Sequence, residues 1–372
     1  MLTQFASSVR GEPLVAMLRQ PELFAQQGLA DWDRTLRLAR ASNLLGRISR
    51  DIFARDLSHK VPTPVLPHLV AADRLVTHQQ VSTVREGRFI AQALSGLDIP
   101  VVLLKGAAYA AAGLPAASGR LFGDVDILVP RASINAVEAA LMMRGWSIGS
   151  IDPYDNRYYR QWMHELPPMA HLQRGTVIDV HHNILPQTIG YAPDASLLLD
   201  DSLPVGESGL RVLSPVDMVI HSAVHLFHEG ELKNGLRDLL DLCSLMDDFS
   251  GRNTAFWGRL TSRASELGLV WPLHLALRYS HMIFGLAVPG EALDAMVARS
   301  SLGALRQATL DAIYTRAFLP EHPIASRPSV GFARTVLYVR SHALRMPMHR
   351  LLVHLGRKAI LRTVKHSSRR AP

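Results

Sequence analysis

The sequence predicts an α+β protein, a small mixed β-sheet core embedded in a largely α-helical chain. Three observations carry this expectation. Apolar residues recur at helical spacing over residues 12–97 and again from Ser214 onward. DVDILV (124–129) alternates acidic and apolar residues, the pattern of a strand with one polar face. Short apolar-framed runs at 101–104 and 176–184 supply further strands.

Taken in order, PELFAQQGLADWDRTLRLARASNLLGRI and VLPHLVAADRLVTHQQVSTVREGRFIAQAL read as helices, closed by Gly96 and Pro100. VVLL (101–104) reads as a short buried strand leading into Lys105-Gly106 and a small-residue stretch. Residues 131–144 form an amphipathic helix ended by Gly145. PPMAHLQ and TVIDVHHNI flank Arg174-Gly175, predicting a hairpin with a two-residue turn. Ser214 is an N-cap with Pro215 at the first helical position. Helices follow near 232–248, 254–268, 271–285 and 288–299, and a proline-rich stretch, 319–329, precedes a basic terminal segment. The expected organisation is a helical region (1–97), an αβ core (98–213), a helical domain packed on it (214–318) and a basic helical segment (319–372).

Composition sets limits on this picture. Apolar residues make up 48% of the chain and charged residues 19%, which suits a packed core and excludes wholesale disorder. The single cysteine, Cys243, excludes an intrachain disulfide framework and a cysteine-based zinc site. MLTQFASSVRGEPLVAML holds no sustained apolar stretch, so no secretory signal is expected and the cytoplasm is the natural location. No run of about 18 apolar residues predicts a transmembrane helix. The net charge of +8 is unevenly placed: eleven Arg and Lys follow Glu321 with no Asp or Glu among them, and without them the chain has 29 basic against 32 acidic residues. The basicity therefore belongs to the tail. That tail admits three readings: packing on the body with a solvated basic face, contact with an anionic membrane, or binding of nucleic acid or another anionic partner.

The most informative stretch is LLKGAAYAAAGLPAASGRLFGDVDILVP. Asp124 and Asp126 lie two apart on a strand, so both side chains share one face while Val125 and Ile127 face the core. Two adjacent carboxylates repel, and a divalent cation gives a reason to place them so: Mg²⁺ takes one or two carboxylates with phosphate oxygens and water. Asp179, inside the strand VIDV, is the candidate third acid of a two-metal site.

LLKG, GRLFGDVDILV and VIDVHH in succession, with LSPVDMVIHSAVHLFH and LRDLLDLCSLM downstream, resemble an uncharacterised bacterial nucleotidyltransferase family of the DNA polymerase β-like superfamily, over residues 98–248. The resemblance implies a nucleotidyltransferase core that uses Mg²⁺ or Mn²⁺. It would move a nucleoside monophosphate from an NTP to a hydroxyl or phosphate on a small molecule, peptide, protein or RNA. Asp124 and Asp126 would hold the metals at the triphosphate, and Asp179 would share one and help deprotonate the acceptor. Lys105, the N–H groups of the Gly106 turn and Arg120 would balance phosphate charge. Two positions depart from the family pattern. The turn reads Lys105-Gly106-Ala107 where Gly-Gly or Gly-Ser is usual, so it offers no hydroxyl, and His182 stands where an aromatic residue is common.

Several residues carry a second reading. Lys105 is either a ligand or a strand-end lysine. Arg120 either contacts phosphate or pairs with Asp124 or Asp126. His181 and His171 either line the pocket or sit satisfied in the core. His221, His225 and His228 share one helical stripe, read as pocket wall or packing ahead of metal binding. Arg237 and Asp238 lock helices or the pocket rim. The rival functions are a non-catalytic nucleotide-sensing module on the same fold and a nucleic-acid-binding protein driven by the tail.

Overall fold

A computed structural model describes residues 11–345 apart from residues 229 and 326. A mixed seven-stranded sheet is set among helices, as the α+β expectation requires. The strands are β1 (Val102–Leu103), β2 (Asp124–Leu128), β3 (Trp146–Ser147), β4 (Met169–His171), β5 (Val177–His181), β6 (Leu203–Pro204) and β7 (Arg211–Val212). Their order across the sheet is β3-β4-β5-β2-β1-β7-β6. The two longest strands, β2 and β5, lie side by side and parallel, with Asp126 opposite Asp179. In β2, Val125 and Ile127 are buried, together with Ile178 and Val180 of β5, so one face of the alternation feeds the core while the acids crowd the other.

The buried apolar residues, from Leu14 to Leu337, form one contiguous cluster. The long helix Leu66–Leu94 packs on the helices Lys105–Ala111 and Ile134–Met143, and the helix Pro215–His228 packs on the helices Gly235–Arg252, Phe256–Glu266 and Val270–Tyr279. Its start is as the sequence reads: the Ser214 hydroxyl accepts from the Asp217 N–H at 3.3 Å, and Pro215 opens the helix. At one point the backbones approach so closely that only glycine fits. Gly119 has a φ of +71°, and a Cβ there would run into the backbone of Gly46 and Arg47. This contact seats the loop that leads into β2 against the helix Leu45–Ala54.

The hairpin between β4 and β5 forms, but its loop is longer than two residues. His171 donates its N–H to the Thr176 carbonyl and accepts from the Gly175 N–H, each at 2.8 Å, so the loop spans Leu172–Gly175. The cause lies in its side chains. His171 Nδ1 accepts from the Gln173 and Arg174 N–H groups at 3.2 and 3.3 Å, and Arg174 grips the buried Glu86 at 2.8 and 2.9 Å between the rings of Phe89 and Trp146. His171 thus serves the hairpin: its ring also meets Trp146 edge-on.

The tail begins as the helix Pro328–Arg345. Its arginines are largely engaged with the body: Arg327 pairs with Glu12, Arg334 with Glu321, and Arg340 lies over the Trp271 ring. Residues 346–372, where the expectation of an anionic partner mostly falls, lie outside the described residues. Among the described residues, no helix is long and apolar enough to cross a membrane.

Candidate active site

The parallel register of β2 and β5 does the assembly. Asp124 and Asp126 project from one face of β2, Asp179 projects from the same face of β5, and the three carboxylates offer oxygens that all lie within 4.8 Å of one another. Asp124 is exposed at the mouth, Asp179 is half-buried and Asp126 is only 3% exposed. Asp179 Oδ1 is buried with no hydrogen-bond partner.

Charge around Asp126 is balanced by two neighbours. Lys105 Nζ donates to Asp126 Oδ1 at 2.9 Å, and His181 Nε2 lies 3.1 Å from the same oxygen. Lys105 reaches it because its backbone sits in the left-handed region, φ +47°, which turns the chain sharply from β1 into the helix Lys105–Ala111. Burial would raise the Asp126 carboxyl, but the Lys105 ammonium and His181 outweigh it and hold the group well below the usual carboxylate range. At Asp179 the lowering effect of His181 is outweighed. Burial, then the negative charges of Asp126, Asp124 and Glu165, push its carboxyl up to about 7.

His181 is buried, and its Nδ1 lies 3.2 Å from Glu165 Oε2, so the imidazole spans two carboxylates. Burial would lower its pKa, but the Asp126 hydrogen bond and the Glu165 charge outweigh this and raise it. Glu165 has no place in the sequence-derived site. It sits in the irregular stretch before β4 and joins His181 through an isolated antiparallel bridge, a pairing that no local periodicity advertises. His164, beside it, tilts against the His181 ring at 5.3 Å. His182 lies past the end of β5, where burial and Arg131 lower its pKa.

A family model described as an uncharacterised nucleotidyltransferase matches residues 29–285, more than half of the chain. The protein belongs to this nucleotidyltransferase family. No curated protein and no solved structure matches it. The match takes in the helices before the sheet as well as the acids and the histidine stripe. It agrees with the resemblance read from LLKG, DVDILV and VIDVHH at the level of the family.

In this nucleotidyltransferase, Arg120 is drawn away from the acids of β2. Its guanidinium pairs with Asp241 and with Asp238 on the helix Gly235–Arg252, and it lies 5.7 Å from the centre of the Tyr109 ring. Arg237 Nη2 also donates to Asp238, its neighbour on the same helix, at 2.6 Å. Gly106 closes over this pair: a Cβ there would sit 2.7 Å from Arg120 Nε and 3.0 Å from the Phe122 ring. The network therefore buttresses the turn from beneath. Arg120→Met is expected to destabilise the fold by about 3–5 kcal/mol, because it strands the buried Asp241 carboxylate, whereas Asp238 keeps Arg237. Urea unfolding measures this, and a loss under about 1 kcal/mol would show that the network does not hold the turn.

The histidine stripe turns inward. His221, His225 and His228 line a small niche with Lys105, His164 and His181. The Tyr191 hydroxyl contacts His228 Nε2 at 2.9 Å, and His228 meets the Trp271 ring edge-on. Burial, with Lys105 and His225 adding, holds the His221 imidazole well below its ordinary range.

Proposed function

We propose that this protein transfers a nucleoside monophosphate from an NTP to a hydroxyl or phosphate acceptor, using Mg²⁺ or Mn²⁺ held by Asp124, Asp126 and Asp179. The observation that carries the reading is the convergence of three carboxylates from two adjacent strands, one of them with a buried oxygen that no protein group satisfies. Three like charges in one place are unfavourable alone, and a divalent cation supplies the missing partner. The donor set suits a hard cation, since all three ligands are oxygen.

When bound, the metal neutralises charge on the triphosphate and on the oxygens of the reacting phosphorus. The chain's own residues do the rest. Asp126 is held in one orientation by Lys105 and His181, both acting on Oδ1. Lys105 and the Gly106 turn form the phosphate side of the site, and Arg120 supports that turn through Asp238 and Asp241. The acceptor oxygen bonds to the α-phosphorus as the bond to the β-phosphate oxygen breaks. Pyrophosphate leaves, and the acceptor's proton passes to Asp179. Positioning and fixed charge supply most of the acceleration in such a step.

The test is direct. Incubation with each labelled NTP, Mg²⁺ or Mn²⁺ and candidate small-molecule, peptide, protein and RNA acceptors should release pyrophosphate and add a nucleotide's mass to one acceptor. Transfer that persists in Asp124→Asn would sink the assignment and favour a nucleotide-sensing or nucleic-acid-binding role on the same fold.

Glu165 gives a further expectation. Partners that orient a ligand through an intervening histidine typically change metal affinity about 10–100-fold when removed. Glu165→Ala should weaken Mn²⁺ binding by that order, and Glu165→Gln, which keeps an acceptor for His181 Nδ1, should restore most of it. Electron paramagnetic resonance of free Mn²⁺ reads the affinity. A folded Glu165→Ala that binds Mn²⁺ like the parent removes the orienting role.

A further inference from the structure

Between the sheet and the helix Pro215–His228 lies a niche of about 10 Å³, the space of about one water. Five imidazoles and one ammonium line it, from Lys105, His164, His181, His221, His225 and His228, and the rest of its lining is aliphatic. No carboxylate faces it. We propose that this niche receives one oxygen of a substrate phosphate group, which fixes that phosphate beside the acids of β2 and β5. The inference rests on the nucleotidyl-transfer reading of those acids and adds a second contact point for the substrate.

Three observations carry it. The first is charge. The Lys105 ammonium and His181 also serve Asp126, so the niche offers an oxygen chiefly nitrogen hydrogen-bond donors, with no acid in the lining to oppose an anion. The second is an unmet need. His221 is only 4% exposed, and its Nδ1 is buried without a hydrogen-bond partner, a state that costs free energy until a partner arrives. The third is place. Lys105 and His181 line the niche and also contact Asp126 Oδ1 at 2.9 and 3.1 Å, so a phosphate anchored here lies one side chain from the acids. A metal fits the stripe less well. Among the described residues, the groups whose donor atoms converge within 4.8 Å are Asp124, Asp126 and Asp179, and His164, Glu165 and His181, and neither includes His221, His225 or His228.

The niche is too small for a sugar or a base. A phosphate would insert its leading oxygen and leave the remainder at the mouth. That phosphate has two possible sources, the triphosphate tail of the donor and a phosphate carried by the acceptor.

The probe is inorganic phosphate, titrated into the full-length protein in EDTA at fixed ionic strength and followed by calorimetry. His221→Gln and His225→Gln should each weaken binding by about tenfold, the loss of one hydrogen bond to a charged group. His225 is only partly buried, so its variant carries the test if His221→Gln fails to fold. Unchanged phosphate affinity in folded His225→Gln overturns the proposal, and this includes the outcome in which phosphate binds only to the basic tail. A non-hydrolysable NTP with Mg²⁺ separates the sources: displacement of phosphate assigns the niche to the donor's tail, and simultaneous binding assigns it to the acceptor. The two readings fail separately. Weakened phosphate binding in the histidine variants, with transfer intact in Asp124→Asn, would keep the niche and remove the proposed activity. Unchanged phosphate binding, with transfer lost in Asp124→Asn, would do the reverse.

Discussion

Asp126→Asn should abolish nucleotidyl transfer and also weaken the fold, whereas Asp124→Asn should abolish transfer alone. The two residues share a strand face but not an environment. Asp124 is exposed, so its carboxylate costs little to keep and little to lose. Asp126 is 3% exposed and is the shared partner of Lys105 and His181. An asparagine there leaves an ammonium and an imidazole without their counter-charge. Breaking a buried ion pair by removing one partner costs about 3–5 kcal/mol. Both variants should lose transfer by about a thousandfold or more, equivalent to roughly 4 kcal/mol of transition-state stabilisation. Urea midpoints and single-turnover rates, measured on the same preparations, separate the effects. Equal stability losses in the two variants would contradict the assigned role of Asp126 as the charge at the centre of the site.

Asp179→Asn should do the opposite to stability. The metal-free protein should gain stability from it while losing Mn²⁺ binding and transfer. The Asp179 carboxyl is raised from its ordinary 3.8 to about 7, first by burial and then by the neighbouring acids. A group raised on folding contributes stability that is complete below its unfolded value and is lost as pH rises through its folded value. The parent protein in EDTA should therefore lose stability from this group between about pH 4 and pH 7, by roughly 2–4 kcal/mol in all, and the asparagine variant should not. The gap between the two should widen from pH 5 to pH 8. Adding Mn²⁺ should restore the parent through binding linkage and leave the variant unmoved. Equal melting temperatures at pH 8 in EDTA would show that the three acids do not repel one another as their spacing implies.

Much of the acid cluster was legible because its information is local. Alternation over six residues places Asp124 and Asp126 on one face, and apolar framing marks the strand that carries Asp179. The partners of those acids were less legible, because they arrive from distant segments. Glu165 meets His181 through a bridge outside the regular strands. Asp241 reaches Arg120 across 121 residues of chain, and nothing near Arg120 announces a buried carboxylate partner. The hairpin shows the same limit on a smaller scale. Arg174-Gly175 is a valid turn signal, but Glu86 holds Arg174 in a longer loop. Lys105 is a related case: its sequence neighbours suggest a strand end, and only the left-handed backbone delivers its ammonium to Asp126. The histidine stripe was readable as a stripe from its spacing, but the surface it faces depends on how the helix Pro215–His228 docks.

The meeting of Gly46 with Gly119 bears on how this protein can be cut. Residues 98–213 look like a separable unit, since they contain every strand among the described residues and all three acids. A clone beginning at residue 98 would nevertheless lack the surface on which the segment ahead of Asp124 is moulded. Minimal versions made for screening or crystallisation should therefore retain the helix Leu45–Ala54, and the smallest useful piece is set by a glycine contact outside the sheet.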